Sequence, residues 1–145
     1  MIEGSQDTKL NRRLRLGMVG GGRGAFIGAV HRMASRIDDR WELVAGALSS
    51  DAERARASGE DLRLDPARVY GDFAAMAEAE KQRPDRIDAV AIVTPNHMHA
   101  APARAFLEAG IHVICDKPMT TTRADAEELQ RLAADRNLLF AVTHN

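Results

Sequence analysis

Three clusters in this sequence combine residue types and spacing that can do chemistry. The first is Gly20-Gly21-Gly22-Arg23-Gly24-Ala25-Phe26-Ile27-Gly28, which follows an apolar run and opens a helical pattern. Within it, Gly20-x-Gly22-x-x-Ala25 has the spacing of a dinucleotide fingerprint with alanine in the last place. The spacing has a mechanical reason. One glycine makes the tight turn, a second lets the backbone close on a pyrophosphate where a Cβ would intrude, and the first N–H groups of the helix, which lack intrahelical acceptors, face the anion. Arg23 and Gly24 lie inside the same turn, and Arg23 offers it a positive charge. Gly22, Gly24 and Gly28 make a longer register, so the spacing leaves the last position open. No Gly-Lys-Ser/Thr follows, which argues against a mononucleotide P-loop.

The second cluster closes the next apolar run, at Ala47-Leu48-Ser49-Ser50-Asp51. A carboxylate about 20 to 30 residues beyond the first glycine of such a turn usually takes the adenosine ribose hydroxyls. Here serines hold that place, so Ser49 and Ser50 suit a ribose hydroxyl or a 2′-phosphate, with Arg54 one helical turn on as a counter-charge. The same residues also suit a helix cap, and the choice between NAD and NADP stays open. The third cluster is a pair of strand ends, Thr94-Pro95-Asn96-His97-Met98-His99 and Cys115-Asp116-Lys117-Pro118. In open α/β sheets ligands bind beyond the carboxyl ends of the strands, so these two loops are expected to converge on one crevice. His97, His99, His112 and Cys115 are capable metal ligands, but a turn pair and the two ends of a buried strand do not converge, and no metal site is expected. His31 reads as an ordinary helix-face residue.

These loops need a scaffold, and the alternation of apolar runs with helical patterns supplies one. The expected fold is a doubly wound Rossmann-type α/β domain, a mostly parallel six-stranded sheet with helices on both faces. Strands are expected at Leu14 to Val19, Glu42 to Leu48, Arg68 to Tyr70, Ala89 to Val93, His112 to Cys115 and Leu139 to Thr143. Helices are expected at Ala25 to Arg36, from Asp51 to Ser58 with Gly59 as a left-handed stop, at Phe73 to Lys81 behind Asp72, at Ala100 to Ala109 before Gly110, and at Arg123 to Arg136 behind Thr122. Met1 to Arg13 reads as a polar tail, and 14–145 as the folded domain.

Composition narrows the function classes. At 145 residues with 45% hydrophobic content the chain suits one domain with a real core. A net charge of −1 provides no field for nucleic acid or an acidic membrane. No segment approaches the roughly 20 apolar residues that span a bilayer, and no leader pattern opens the chain, so a cytoplasmic protein is expected. A lone cysteine, Cys115, excludes paired-thiol redox chemistry within the chain.

Taken together and in order, the glycine turn, the Thr94-Pro95-Asn96 loop and the Asp116-Lys117-Pro118 loop resemble the Gfo/Idh/MocA oxidoreductases, named for glucose-fructose oxidoreductase and inositol dehydrogenase. The resemblance spans about Leu14 to Asn145. Members of that family usually carry Glu-Lys-Pro where this chain has Asp116-Lys117-Pro118, a shorter carboxylate arm. The resemblance implies binding of NAD or NADP and hydride transfer at a hydroxyl or carbonyl carbon of a sugar, cyclitol or related compound. It implies Lys117 as the catalytic residue that hydrogen-bonds the reacting hydroxyl, with Asp116 to position or tune it. Thr94, Pro95, Asn96 and His99 are implied as the nicotinamide-side contacts, joined by Lys117. The family's other catalytic pair, an aspartate and a histidine, belongs to a second, substrate-binding and oligomerising domain, which this chain is expected to lack. His144 and Asn145 fall where the family chain crosses into it, and the full-length protein is expected to be a homo-oligomer. A non-catalytic NAD(P)-binding or redox-sensing module is the alternative, with Lys117 as the discriminator. An S-adenosylmethionine or other nucleotide domain shares the glycine turn but leaves the other two motifs unexplained.

Overall fold

The computed structural model describes residues 11–144. Most of the expected N-terminal tail lies outside them, but Arg12 and Arg13 do not behave as tail. Arg12 Nη1 and Nη2 donate to the two carboxylate oxygens of Asp88 at 2.7 and 2.9 Å, and Arg13 pairs with Asp39. Asp88 also accepts the Arg15 amide at 2.7 Å, so one carboxylate ties the entry of the first strand to the entry of a central one. The Arg12 guanidinium, helped by that amide, holds the Asp88 carboxyl below the usual carboxylate range.

The apolar runs form β1 (Leu14–Gly20), β2 (Trp41–Ala47), β3 (Ala89–Val93), β4 (His112–Cys115) and β5 (Phe140–Val142). They join in one five-stranded parallel sheet in the order β2-β1-β3-β4-β5. The chain therefore steps outward from β1 to β2 and then returns to the other side of β1. That reversal places the switch point between β1 and β3, so the loops leaving those two strands flank one crevice.

Alternation along the strands divides the core between two faces. Val19, Val90, Ile92, Val113 and Cys115 pack under α3 (Phe73–Gln82), α4 (Ala100–Glu108) and α5 (Arg123–Asp135), where Met76, Phe106, Leu107 and Leu129 are fully buried. Leu16, Met18, Ala91 and Val93 face the other way, toward Ile27 of α1 (Phe26–Arg36) and toward Leu62 and Leu64, which follow α2 (Ala52–Asp61). Helix starts follow their caps: Asp51, Asp72 and Thr122 accept the amides of Arg54, Ala75 and Asp125 at 2.7, 2.7 and 3.2 Å.

Two elements differ from the sequence expectation. Arg68 to Tyr70 is not a strand; Pro66–Arg68 forms a 3-10 turn, and only Val69 bridges the sheet, beside Gly46. Proline starts the turn without an N–H to give a ladder, and Arg68 is drawn inward. Its guanidinium meets Glu80 at 2.6 and 3.0 Å in a pair that is almost wholly buried, with Tyr70 Oη donating to the same carboxylate at 2.9 Å. Burial, with that carboxylate beside it, pushes the Tyr70 phenol up to about 12. Nor does Gly59 stop its helix. α2 runs on to Asp61, and the left-handed residue beyond it is Arg63. Gly59 is instead a contact point, since a Cβ there would lie 2.5 Å from Val69 Cγ2.

Candidate dinucleotide site

The turn from β1 to α1 runs through left-handed backbone at Gly20, Gly21 and Gly24, with φ of 80, 74 and 82°. A Cβ on Gly22 would sit 2.6 Å from the Leu48 carbonyl oxygen, so the turn lies against the end of β2. The fingerprint's last place is not Ala25. Ala25 is the N-cap of α1, whereas a Cβ on Gly28 would fall 2.4 Å from Gly21 Cα. Gly28 is thus where helix and strand pack backbone to backbone, and the turn is longer than the minimal one. Ala25 offers no side-chain cap and the first turn of α1 holds no acid, so among the described residues its leading amides have no side-chain acceptor. Beside them lies a cavity of ≈ 250 Å³ lined by Gly22, Arg23, Gly24, Ala25, Ser58 and Asp61.

Arg23 does not face that cavity as a lone cation. Its Nε and Nη2 donate to both carboxylate oxygens of Asp61 at 2.6 and 2.8 Å, and its amide donates to Ser58 Oγ at 2.9 Å. Sequence reasoning missed Ser58 and Asp61. Only the burial of Ser58 in line with Ala55 and Gly59 could have marked it, and nothing local joins Arg23 to a residue at position 61.

At the end of β2 the cap and the ribose candidates share the work. Asp51 caps α2 and its amide donates to Ser49 Oγ at 3.1 Å, while Ser50 and Arg54 are exposed beside it. Past β3, Pro95 leads into a 3-10 turn at Asn96–Met98, and Thr94 Oγ1 donates to the Met98 carbonyl at 3.0 Å. Asn96 and Pro95 stay exposed at that strand end.

His99 sits apart from the exposed residues of its loop. It is fully buried, with its ring turned into the fold between the two loops. One ring nitrogen lies 2.6 Å from the Pro118 carbonyl and the other 2.9 Å from that of Thr94, so the imidazole spans the two loops and fixes their separation. Lys117 is exposed on the second loop, and among the described residues its ammonium has no hydrogen-bonded or ion-pair partner. Asp116 turns inward. Its Oδ1 accepts from Thr143 Oγ1 at 2.9 Å and lies 3.6 Å from His31 Nε2, joining the ends of β4 and β5 to α1. The remaining metal candidates are spread apart: His97 is exposed, and His112 Nδ1 accepts the Leu139 amide at the far end of β4. Burial pushes the Cys115 thiol up to about 12.

The glycine turn, the β2 end and the two loops therefore share the carboxyl edge of one parallel sheet. Residues 14–144 match the family model described as an oxidoreductase family with an NAD-binding Rossmann fold. The chain belongs to the Gfo/Idh/MocA oxidoreductases. Levoglucosan dehydrogenase of Pseudarthrobacter phenanthrenivorans is 33% identical over 92% of this chain and 34% of its own length. A solved oxidoreductase of Sinorhizobium meliloti is 62% identical with a TM-score of 0.87, covering 92% of this chain and 37% of that one. A homolog of inositol dehydrogenase from Azotobacter vinelandii, solved with NADH and myo-inositol, is 45% identical with a TM-score of 0.89, covering 92% and 35%. The chain thus spans about a third of the Gfo/Idh/MocA proteins it matches. Among the described residues no helix is long and apolar enough to cross a membrane.

Proposed function

We propose that this chain binds a nicotinamide dinucleotide along the carboxyl edge of its sheet, as the cofactor half of an enzyme that oxidises or reduces a carbinol carbon of a sugar or cyclitol. The uncapped start of α1 beside glycines that leave no room for a Cβ carries this reading, because that cradle suits the pyrophosphate of a dinucleotide. The amides of Gly24 and the first turn of α1 hold the diphosphate, and Ser49, Ser50 and Arg54 receive the adenosine ribose. Thr94, Pro95 and Asn96 border the nicotinamide end, where Thr94 is already fixed by its bond within the loop.

The bound nicotinamide supplies the hydride acceptor or donor. Lys117 hydrogen-bonds the reacting oxygen through Nζ and stabilises the negative charge that gathers there as hydride leaves the carbon. Its freedom from internal partners suits that task, and Asp116 anchors the strand end from which it projects. The relatives' printed ligands support a polyol or sugar substrate, with most of its contacts supplied by the family's second domain, through which a full-length homo-oligomer would also assemble. A cytoplasmic setting suits the buried, unpaired thiol.

Calorimetric titration of the chain with NADH, NADPH and ADP tests the reading, and binding of ADP alongside at least one reduced coenzyme is the expected result. Absence of binding to all three by folded protein overturns it. In a protein carrying the whole family length, Lys117→Ala is expected to lower kcat by roughly a hundredfold or more while leaving coenzyme affinity within a few-fold. Unchanged turnover would remove Lys117 from the chemistry.

A further inference from the structure

The glycine turn is held from outside itself. The Gly22 amide donates to the Leu48 carbonyl at 3.1 Å, and the Arg23 amide to Ser58 Oγ at 2.9 Å. Ser58 is 2% exposed, and its own hydroxyl hydrogen is spent on the Arg54 carbonyl at 2.6 Å, so only its lone pairs face the turn. A Cβ on Gly22 would lie 2.8 Å from that same oxygen. Outside the backbone, Arg23 clasps Asp61 through two parallel N–H···O bonds, the geometry that fixes direction as well as distance. Asp61 in turn lines the cavity in front of α1, where an unneutralised carboxylate would repel a diphosphate.

The geometry points to Ser58 and Asp61 as positioning residues of the dinucleotide site, with Arg23 as the tether through which α2 holds the glycine turn and not as a phosphate ligand. This rests on the reading that the turn receives a pyrophosphate. A long turn with three left-handed glycines loses much conformational freedom when it closes on a ligand, and anchoring it beforehand removes part of that cost. The anchor sits on the helix whose first turn carries Arg54, beside Ser49 and Ser50. One rigid element thereby sets both the ribose end and the diphosphate end of the site.

ADP and NADH titrations of the wild type, Arg23→Ala, Asp61→Asn, the double variant and Ser58→Ala decide the matter. A tether predicts that Arg23→Ala and Asp61→Asn each weaken both ligands by roughly threefold, and that the double variant is no worse than either single one. In the double variant, where no unneutralised carboxylate is left beside the site, the salt dependence of ADP binding stays as in the wild type, because no phosphate contact has been lost. Ser58→Ala weakens both ligands in the same way, and should that buried change prevent folding, the exposed Arg23 and Asp61 variants carry the test alone. Tighter or unchanged binding by Asp61→Asn overturns the inference, as does a flattened salt dependence in the double variant, the mark of direct phosphate contact by Arg23. A wild-type chain that binds neither ligand overturns the site reading and this inference together, whereas a binding wild type with a tighter Asp61→Asn overturns the inference alone.

Discussion

His99 holds two loops apart with one ring, and removing it leaves the carbonyls of Thr94 and Pro118 without their partner. His99→Ala is therefore expected to cost about 1–3 kcal/mol in urea denaturation, the range for a polar group stranded in the interior. Coenzyme affinity should fall with it, since the gap between the two loops is set by that ring. A variant as stable as the wild type would show that the loops hold their spacing without it. Residue by residue, the sequence was readable where position is set by neighbours along the chain. Lys117 beside Pro118 and the glycines after an apolar run announce themselves. His99 could not, because its type and position are equally compatible with a contact to ligand and with a strut between loops. Only its complete burial separates these. Ser58 and Asp61 were hidden for the same reason, their partner Arg23 lying in another element.

Glycine positions separate most clearly at the level of elements, and two of them give opposite forecasts. Gly28→Ala puts a methyl 2.4 Å from the Cα of Gly21, so α1 must lift from the strand. A loss of about 1–3 kcal/mol and weakened coenzyme binding are expected, read by thermal melting and titration. Gly24 has open space around it, and only its φ of 82° resists a side chain. Gly24→Asn, which tolerates that backbone, should then cost at most about 1 kcal/mol. Equal losses at the two positions would contradict the packing described for Gly28. The register of this turn was illegible beforehand because several glycines offered the same spacing, and close approach, a tertiary fact, chooses among them. The expected third strand failed for a related reason. Its β-branched Val69 and aromatic Tyr70 favour a strand, yet Pro66 and the inward pull of Glu80 on Arg68 draw Arg68 into a turn and leave Val69 as an isolated bridge. The helix starts, by contrast, follow local side-chain caps and were legible at Asp51, Asp72 and Thr122.

At the scale of the molecule, the sheet's entry edge is tied by acids and bases, Arg12 with Asp88 and Arg13 with Asp39, and its exit edge carries the glycine turn and the two loops. Asp88 shows how the tie depends on pH. Its folded carboxyl sits below the usual range, mainly through Arg12, so its contribution is present above the unfolded value of about 3.9 and is lost as pH falls through the folded one. Arg12→Ala is expected to be less stable than the wild type at pH 7, with the difference shrinking toward zero in strong acid, as followed by urea titration at several pH values. A difference that is constant across pH would assign the loss to something other than this carboxylate. The parallel sheet and its switch point were legible from the order of apolar runs, but the unequal dressing of the two faces was not, because helix placement depends on which side each crossover returns. One consequence of that dressing concerns light. The single indole, Trp41, opens β2 at the end of the sheet opposite the glycine turn and shares a cleft with His31, Ala34 and Ser35 of α1. Its emission colour should therefore register whether that helix lies flat, so a nucleotide seated at the helix's other end can alter the indole's surroundings by a tilt passed along the rod between them.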